Sequence, residues 1–430
     1  MTSPRMDAPA RWQQCAECGV RLDELDSRTA CPDCGGLLDV LFHTPAGRAT
    51  SLRNAFASRV GIAGAPHEIS GVWRYAELIM TVPPAAMVSF PEGNTPLVAI
   101  ERVSQWAGCQ RLQLKHEGMN PTGSFKDRGM SVGVTQAKRV RARAVACAST
   151  GNTSASLAAY AALAGIPAVV LVPAGQVAMG KLQQTLAYGA HTLAVRGDFD
   201  ACLSLVREAA QRLGVYLLNS VNPWRIEGQK SIVFELLQQL GWNAPDWIAL
   251  PAGNLGNTAA FGKALDEACR LGIIDRSPRL LAVQAAGAAP FHQSFESGFS
   301  KRFTTRAETI ASAIKIGNPA SYDRGVQAMR LTRGAVVAVP DESIIDAQSC
   351  IGAAGIGCEP ASAASVAGTR EAIRSGLIGA HESVVAILTG HVLKDPVPEG
   401  FSDRSRYAPV EIDASLSAIE HELSKLSRAG

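Results

Sequence analysis

The sequence is poor in charge. Of its 430 residues only 18% are charged, and the signs nearly cancel: 41 Lys and Arg stand against 38 Asp and Glu, a formal net charge of +3. Without an excess of one sign there is no electrostatic reason to expect nucleic acid or an anionic membrane as a partner. An apolar leader is also missing. The opening MTSPRMDAPARWQQC carries no hydrophobic stretch, so no secretory signal is expected. Long hydrophobic runs are broken. One long uncharged apolar run, Leu157 to Gly175, contains Gly165, Pro167 and Pro173 and reads as helix, turn and strand rather than as a membrane span. Nucleotide fingerprints are lacking: there is no GxxxxGK(S/T), and no GxGxxG opens a strand–helix unit. Internal repeats and low-complexity segments are absent as well.

What is present is apolar material. Hydrophobic residues make up 47% of the chain, enough for a large core, and the length calls for two or three structural units. Six of the ten cysteines (Cys109, Cys147, Cys202, Cys269, Cys350 and Cys358) are scattered in apolar or helical surroundings, as reduced core residues are, so a reducing, cytoplasmic location is expected. The other four form two CxxCG knuckles, Cys15/Cys18 and Cys31/Cys34. Two knuckles supply four soft ligands in a tetrahedron, the pattern of a structural zinc site (or of iron in the same cage). A segment this short has too little apolar surface to fold alone, so the task expected of it is structural.

Taken in order, residues 1–10 are expected to be disordered, 11–60 to form the zinc-ribbon-like module, 61–95 to connect, 96–410 to form the main domain and 411–430 to end in a surface helix. Within the main domain, short apolar runs such as Ala144–Ala148, Ala168–Val172, Trp247–Leu250, Leu280–Gln284, Ala335–Val339 and Val384–Leu388 alternate with helical patterns such as Phe199–Leu213 and Thr258–Leu271. That alternation predicts a mainly parallel sheet flanked by helices. Buried strands of this kind lack polar alternation, as these do.

Ligands of open parallel sheets bind where strand ends meet helix N-termini. Three such loops are rich in small polar residues: Ser149-Thr-Gly-Asn-Thr-Ser154, Asn219-Ser-Val-Asn-Pro-Trp-Arg225 and Gly253-Asn-Leu-Gly-Asn257. Each is a plausible anion cradle. A fourth stretch, Asn120-Pro-Thr-Gly-Ser-Phe-Lys-Asp-Arg-Gly129, holds Lys126. Ser124 and Asp127 read as a capping box, which puts Lys126 in the first turn of a helix. The positive end of the helix dipole disfavours its ammonium form and favours the neutral amine that a Schiff-base lysine needs. Three phosphate-type loops and such a lysine suggest a phosphate on the substrate and another on the cofactor. A cofactor with both an aldehyde and a phosphate is pyridoxal phosphate, PLP.

The lysine stretch resembles the PLP-lysine motif of threonine synthases, which have the tryptophan-synthase-β-like fold, PLP fold type II. The likeness extends to Ser70-Gly-Val-Trp-Arg-Tyr75, Glu92-Gly-Asn-Thr-Pro96, Ile316-Gly-Asn-Pro-Ala-Ser321 and Leu388-Thr-Gly-His391, so it spans about residues 70–400. It implies two parallel-sheet α/β subdomains with the cofactor between them, the smaller and mobile one at about 140–225, preceded by the zinc ribbon. It implies that Lys126 bonds PLP and shuttles protons. Asn152 would bond the ring oxygen, Gly253, Asn254, Leu255, Gly256 and Asn257 the cofactor phosphate, and Thr389 the ring nitrogen. Thr153, Asn219, Ser220 and Arg225 would hold the substrate phosphate. The implied activity is that of a carbon–oxygen lyase acting on phosphates, turning O-phospho-L-homoserine and water into L-threonine and phosphate. The alternatives are a related PLP-dependent replacement or dehydratase enzyme on another (phospho)amino acid, such as one of the cysteate synthase type, and a non-catalytic zinc-ribbon scaffold that has kept the fold, against which the intact Lys126, Asn152 and Thr389 speak. Val392 stands where the family usually has glycine, and His116 and His391 are read as structural. A homodimer is expected, with neither nucleic acid nor membrane as partner.

Overall fold

The computed structural model describes residues 11–43, 47–61, 63–175, 179–395 and 411–426. The expected disordered start lies outside them. The chain first forms a three-stranded antiparallel sheet, with β1 (Arg11–Cys15) between β2 (Arg21–Asp23) and β3 (Leu38–Phe42). Alternate residues of β1 and β3 face inward, so Cys15, Cys31 and Leu38 make a small core of their own. The four thiols converge. Cys15 Sγ lies 3.4 Å from Cys34 Sγ, Cys18 Sγ lies 3.5 Å from both Cys31 Sγ and Cys34 Sγ, and all four atoms fall within 4.8 Å of one another. Zinc–sulfur bonds of about 2.3 Å in a tetrahedron set sulfurs about 3.8 Å apart, so the cluster has the size of a four-cysteine metal cage. Backbone N–H groups of Glu17 and Gly36 point at Cys15 Sγ and Cys34 Sγ, each at 3.4 Å. The module leans on the main body: Val40 joins the main hydrophobic core, Arg324 Nε meets Asp39 at 2.9 Å, and Lys263 donates to the Val40 carbonyl.

Two further sheets follow. The strands are β4 (Leu97–Val98), β5 (Arg111–His116), β6 (Ala144–Ala148), β7 (Ala168–Pro173), β8 (His191–Val195), β9 (Val215–Leu217), β10 (Trp247–Pro251), β11 (Arg279–Ala285), β12 (Ala335–Val339) and β13 (Ser383–Leu388). The larger sheet has the order β12-β11-β10-β13-β5-β4 and is parallel except for the edge pair β4–β5. The smaller, β8-β7-β6-β9, is parallel throughout and occupies residues 144–217. β6, β10 and β13 are buried almost end to end, which is why their sequences are unbroken apolar runs. The uncharged run expected to be helix, turn and strand is so: its helix ends at Ala164, Gly165 takes the left-handed C-cap (φ 67°), and β7 follows. Among the described residues no helix is long and apolar enough to cross a membrane.

The helix Lys126–Arg139 packs against the short helix Pro223–Gln229. A Cβ on Gly228 would stand 2.2 Å from the Arg128 carbonyl oxygen, so only glycine permits this approach. It brings the lysine-bearing and arginine-bearing helices together. The tail forms a separate unit in which the helix Leu416–Leu426 exposes Leu416 and Leu423.

Candidate active site

Lys126 is the first residue of its helix, as expected, but the start is not built as a capping box. No side chain caps the helix, whose N-cap is Phe125. The Asp127 carboxylate reaches back past Ser124 to Thr122, accepting from its N–H at 2.7 Å and from its hydroxyl at 2.5 Å, and it takes a third bond from Ser156 Oγ at 2.6 Å. Thr122 offers two donors where Ser124 would have offered one, and Asp127 takes the better partner. Burial holds the Asp127 carboxyl up at about 6 against these hydrogen bonds. The Ser124 hydroxyl is left buried without a protein partner. Lys126 Nζ lies 4.3 Å from the Phe125 ring centre. Burial lowers its pKa to about 7, helped by the positive charge of Arg225 and opposed by Glu359. The neutral amine is thus favoured, with burial rather than the helix dipole as the leading cause.

Four strand ends surround this amine. At the end of β6, Asn152 and Thr153 open the helix Asn152–Ala164, and Asn152 Nδ2 donates to both carboxylate oxygens of Glu359, at 3.0 and 3.3 Å. After β9, Asn222 caps the next helix by accepting from the N–H groups of Trp224 and Arg225, with Pro223 at its first position. That cap turns Arg225 inward. Its guanidinium is fully buried, and Nη1 donates to the Leu218 carbonyl at 2.9 Å. Nε and Nη2 have no protein partner, and burial lowers its pKa to about 10. Buried donors of this kind call for an anion. Asn219 has a different local role. Its amide accepts from the Ala148 N–H at 3.1 Å and donates to the Ala148 carbonyl at 3.0 Å, a side-chain rung that prolongs the β6–β9 pairing.

After β10, Leu255 adopts the left-handed conformation (φ 62°) and the helix Gly256–Arg270 begins at once. Asn254 braces the turn by accepting from the Ala320 N–H at 3.2 Å, while both amide atoms of Asn257 and the Thr258 hydroxyl lack protein partners. A Cβ on Gly256 would lie 3.9 Å from Ser220 Cβ, so the β9 and β10 loops meet. After β13, the Thr389 hydroxyl pairs with Ser362 Oγ at 3.0 Å and approaches Glu359 Oε1 at 3.5 Å. The lysine loop is tied to this strand end, because the Phe125 N–H donates to the Thr389 carbonyl at 3.0 Å. A cavity of about 350 Å³ opens between Asn120–Gly123, Gly151 and His391–Lys394.

Several motif residues prove to be scaffolding. Arg128 is fully buried with Glu117 and Glu235, at 2.7 and 2.8 Å, and Lys115 meets Glu235 at 2.6 Å. Thr95 and Asn94 of the Glu92-Gly-Asn-Thr-Pro96 stretch donate their N–H groups to Glu235, which accounts for that motif as support beneath the lysine helix. His116 and His391 stack with ring centres 6.4 Å apart, and burial, then His391, pushes the His116 pKa down. Val392 packs against Gly357, where a Cβ would come within 2.7 Å of Val392 Cγ1. Glu359 escaped notice in the sequence, where an acid before Pro360 reads as an ordinary helix start.

The residues fit PLP. The chain offers an amine of lowered pKa, buried polar atoms of Ser124, Asn257 and Thr258 that have no protein partner, and a helix N-terminus at Gly256 for a phosphate. The family model for the pyridoxal-phosphate-dependent enzymes matches residues 88–390. The chain is 44% identical to a threonine synthase of Methanosarcina acetivorans over 413 residues, covering 95% of this chain and 98% of that one. It is 41% identical to a threonine synthase of Methanocaldococcus jannaschii over 416 residues, covering 96% and 100%. The crystal structure of threonine synthase from Escherichia coli shares the fold, with a TM-score of 0.64 at 19% identity over 93% of this chain and 95% of that one. The chain therefore belongs to the pyridoxal-phosphate-dependent enzymes of fold type II and, among them, to the threonine synthase family.

Proposed function

We propose that the chain converts O-phospho-L-homoserine and water to L-threonine and phosphate. The observation that carries this is the pairing of Lys126 with Arg225: a neutral-leaning amine and a buried guanidinium with two nitrogens unpaired in the protein, on adjoining helices. Lys126 would hold PLP, with Asn152 at the ring oxygen, Thr389 on the ring-nitrogen side and Gly253, Asn254, Leu255, Gly256 and Asn257 around the phosphate. When bound, PLP supplies an electron sink for negative charge at the substrate α carbon.

The protein's own groups do the rest. Arg225 supplies the charge that matches the substrate phosphate, with Thr153, Ser220 and the loop braced by Asn219 around it. Lys126 Nζ holds or releases a proton near neutrality, as a general base at this position must. The Thr389 hydroxyl, engaged by Ser362, offers no charge to a ring nitrogen. The buried Glu117–Arg128–Glu235 network keeps the lysine helix fixed while these groups act. The four cysteines would bind a structural zinc that completes the first module. The same reading carries the expectation of a cytoplasmic homodimer, which sedimentation of the PLP-loaded protein tests.

Purified PLP-loaded protein given O-phosphohomoserine should release phosphate and threonine in equal amounts. Phosphate accompanied by 2-oxobutyrate in place of threonine would refute the assignment. Lys126→Ala should abolish both turnover and the visible absorbance of lysine-bound PLP.

A further inference from the structure

Glu359 joins the two sheets at the centre of the site. It is 2% exposed and precedes the helix Pro360–Arg374. Its N–H donates to the Gly390 carbonyl at 3.0 Å, and its carboxylate lies flat on Gly390, where a Cβ would come within 2.6 Å of it. Gly390 N–H donates to Ser362 Oγ at 2.8 Å, Ser362 Oγ pairs with Thr389 Oγ1, and Thr389 Oγ1 approaches Glu359. This closed network sits at the end of β13 in the larger sheet. Asn152 reaches it from the end of β6 in the smaller one.

We infer that Glu359 is a positioning residue: its carboxylate fixes the Asn152 amide with the NH2 group as the donor offered to the cofactor ring, and couples that amide to Thr389. The inference rests on the reading of Asn152 as a cofactor contact. A primary amide presents an oxygen and an NH2 of nearly equal size, so only its partners decide which way it faces. An ionised carboxylate accepts and never donates. Asn152 Nδ2 lies within reach of both its oxygens, and one N–H shared between them leaves the second available. A protonated carboxyl donates to the amide oxygen equally well, which frees the amide to turn over. The charge state of Glu359 therefore sets the direction of Asn152.

The groups facing Glu359 poise that state near neutrality. Burial, with Asp395, opposes the anion, the Asn152 hydrogen bond, Lys394 and Lys126 favour it, and the pKa stands raised at about 7. His391 flanks the same place through its backbone bridge to Cys358. The anion, and with it the fixed amide, is present above this range and lost as pH falls through it.

The test compares PLP-loaded wild type, Glu359→Gln, Glu359→Asp, Asn152→Ala and the double variant Asn152→Ala/Glu359→Gln. The readouts are PLP affinity and the pH dependence of the visible absorbance. Glu359→Gln should weaken PLP binding about tenfold, the size typical of losing an orienting partner. It should also flatten the absorbance change expected of wild type across the pH range in which Glu359 titrates. Glu359→Asp, which keeps the charge but withdraws it, should retain a titration with a displaced midpoint. In the Asn152→Ala background, Glu359→Gln should add less than about twofold, since its effect runs through the amide. A Glu359→Gln profile that matches wild type, or full additivity of the two losses, would overturn the inference. If Glu359→Gln does not fold, Glu359→Asp decides, and an unchanged affinity and midpoint would overturn it. An Asn152→Ala protein with wild-type absorbance and affinity would overturn the reading of Asn152 and this inference with it.

Discussion

At Arg225 a full charge is buried with two guanidinium nitrogens, Nε and Nη2, left without a protein partner. Such an arrangement persists when a ligand completes it. Arg225→Leu should therefore raise KM for the phosphorylated substrate roughly 10- to 100-fold, the loss of hydrogen bonds to a charged group. It should also act on Lys126. The guanidinium's positive charge disfavours the lysine ammonium, so its removal raises the Lys126 pKa. PLP uptake by the apoprotein needs the neutral amine, so its rate should rise with pH through about 7 in wild type and at a higher pH in the variant. Unchanged KM and uptake profile would contradict this. Lys126 and Arg225 were legible in the sequence because a lysine at a helix start and an arginine after Asn-Ser-x-Asn-Pro occupy unusual local settings. Asn219 was legible as a loop residue, but its engagement with Ala148 depends on a contact between strands 71 residues apart in the chain. Glu359 was not legible, since nothing local distinguishes a buried acid from a helix-capping one.

Among the elements, the adjoining helices Lys126–Arg139 and Pro223–Gln229 carry Lys126 and Arg225. Their closeness depends on Gly228, whose added Cβ would meet the Arg128 carbonyl oxygen at 2.2 Å and Gly129 Cα at 2.9 Å. Backbone cannot yield as a side-chain tip can. Gly228→Ala should cost about 1–3 kcal/mol of stability, as overpacking does, and should weaken PLP and substrate binding together. An unfolding midpoint equal to wild type would contradict the packing account. The longer strands were readable because buried parallel strands are continuous apolar runs: Ala144–Ala148 and Ala335–Val339 lie where the sequence puts them. β2 and β4, of three and two residues, are too short to carry a pattern. The first-turn place of Lys126 was found through a Ser–Asp pair that put the helix start at Ser124; the helix begins at Lys126, and the Asp127 carboxylate in fact turns to Thr122.

For the molecule as a whole, the division into sheets of six and four strands was beyond the reach of local pattern, because strand order is settled by pairing between distant segments. That there are two sheets entered through resemblance and is what the fold shows; their strand numbers and order did not. The first module lies against the main body through Val40, Asp39 and the Lys263 contact. Lys263 also pairs with Glu227, two residues from Arg225. The proposed zinc should thus be present at about one per chain by elemental analysis. Cys31→Ser should lose it and lower the thermal midpoint, whereas metal-free protein purified without chelator would contradict the proposal.

The central claim is that the chain eliminates phosphate by breaking the carbon–oxygen bond and adds water at the next carbon. Turnover of O-phosphohomoserine in water enriched in heavy oxygen tests it most directly. The account predicts label in the threonine hydroxyl and none in the released phosphate. Label in the phosphate, with homoserine as the other product, would show hydrolysis at phosphorus and contradict it.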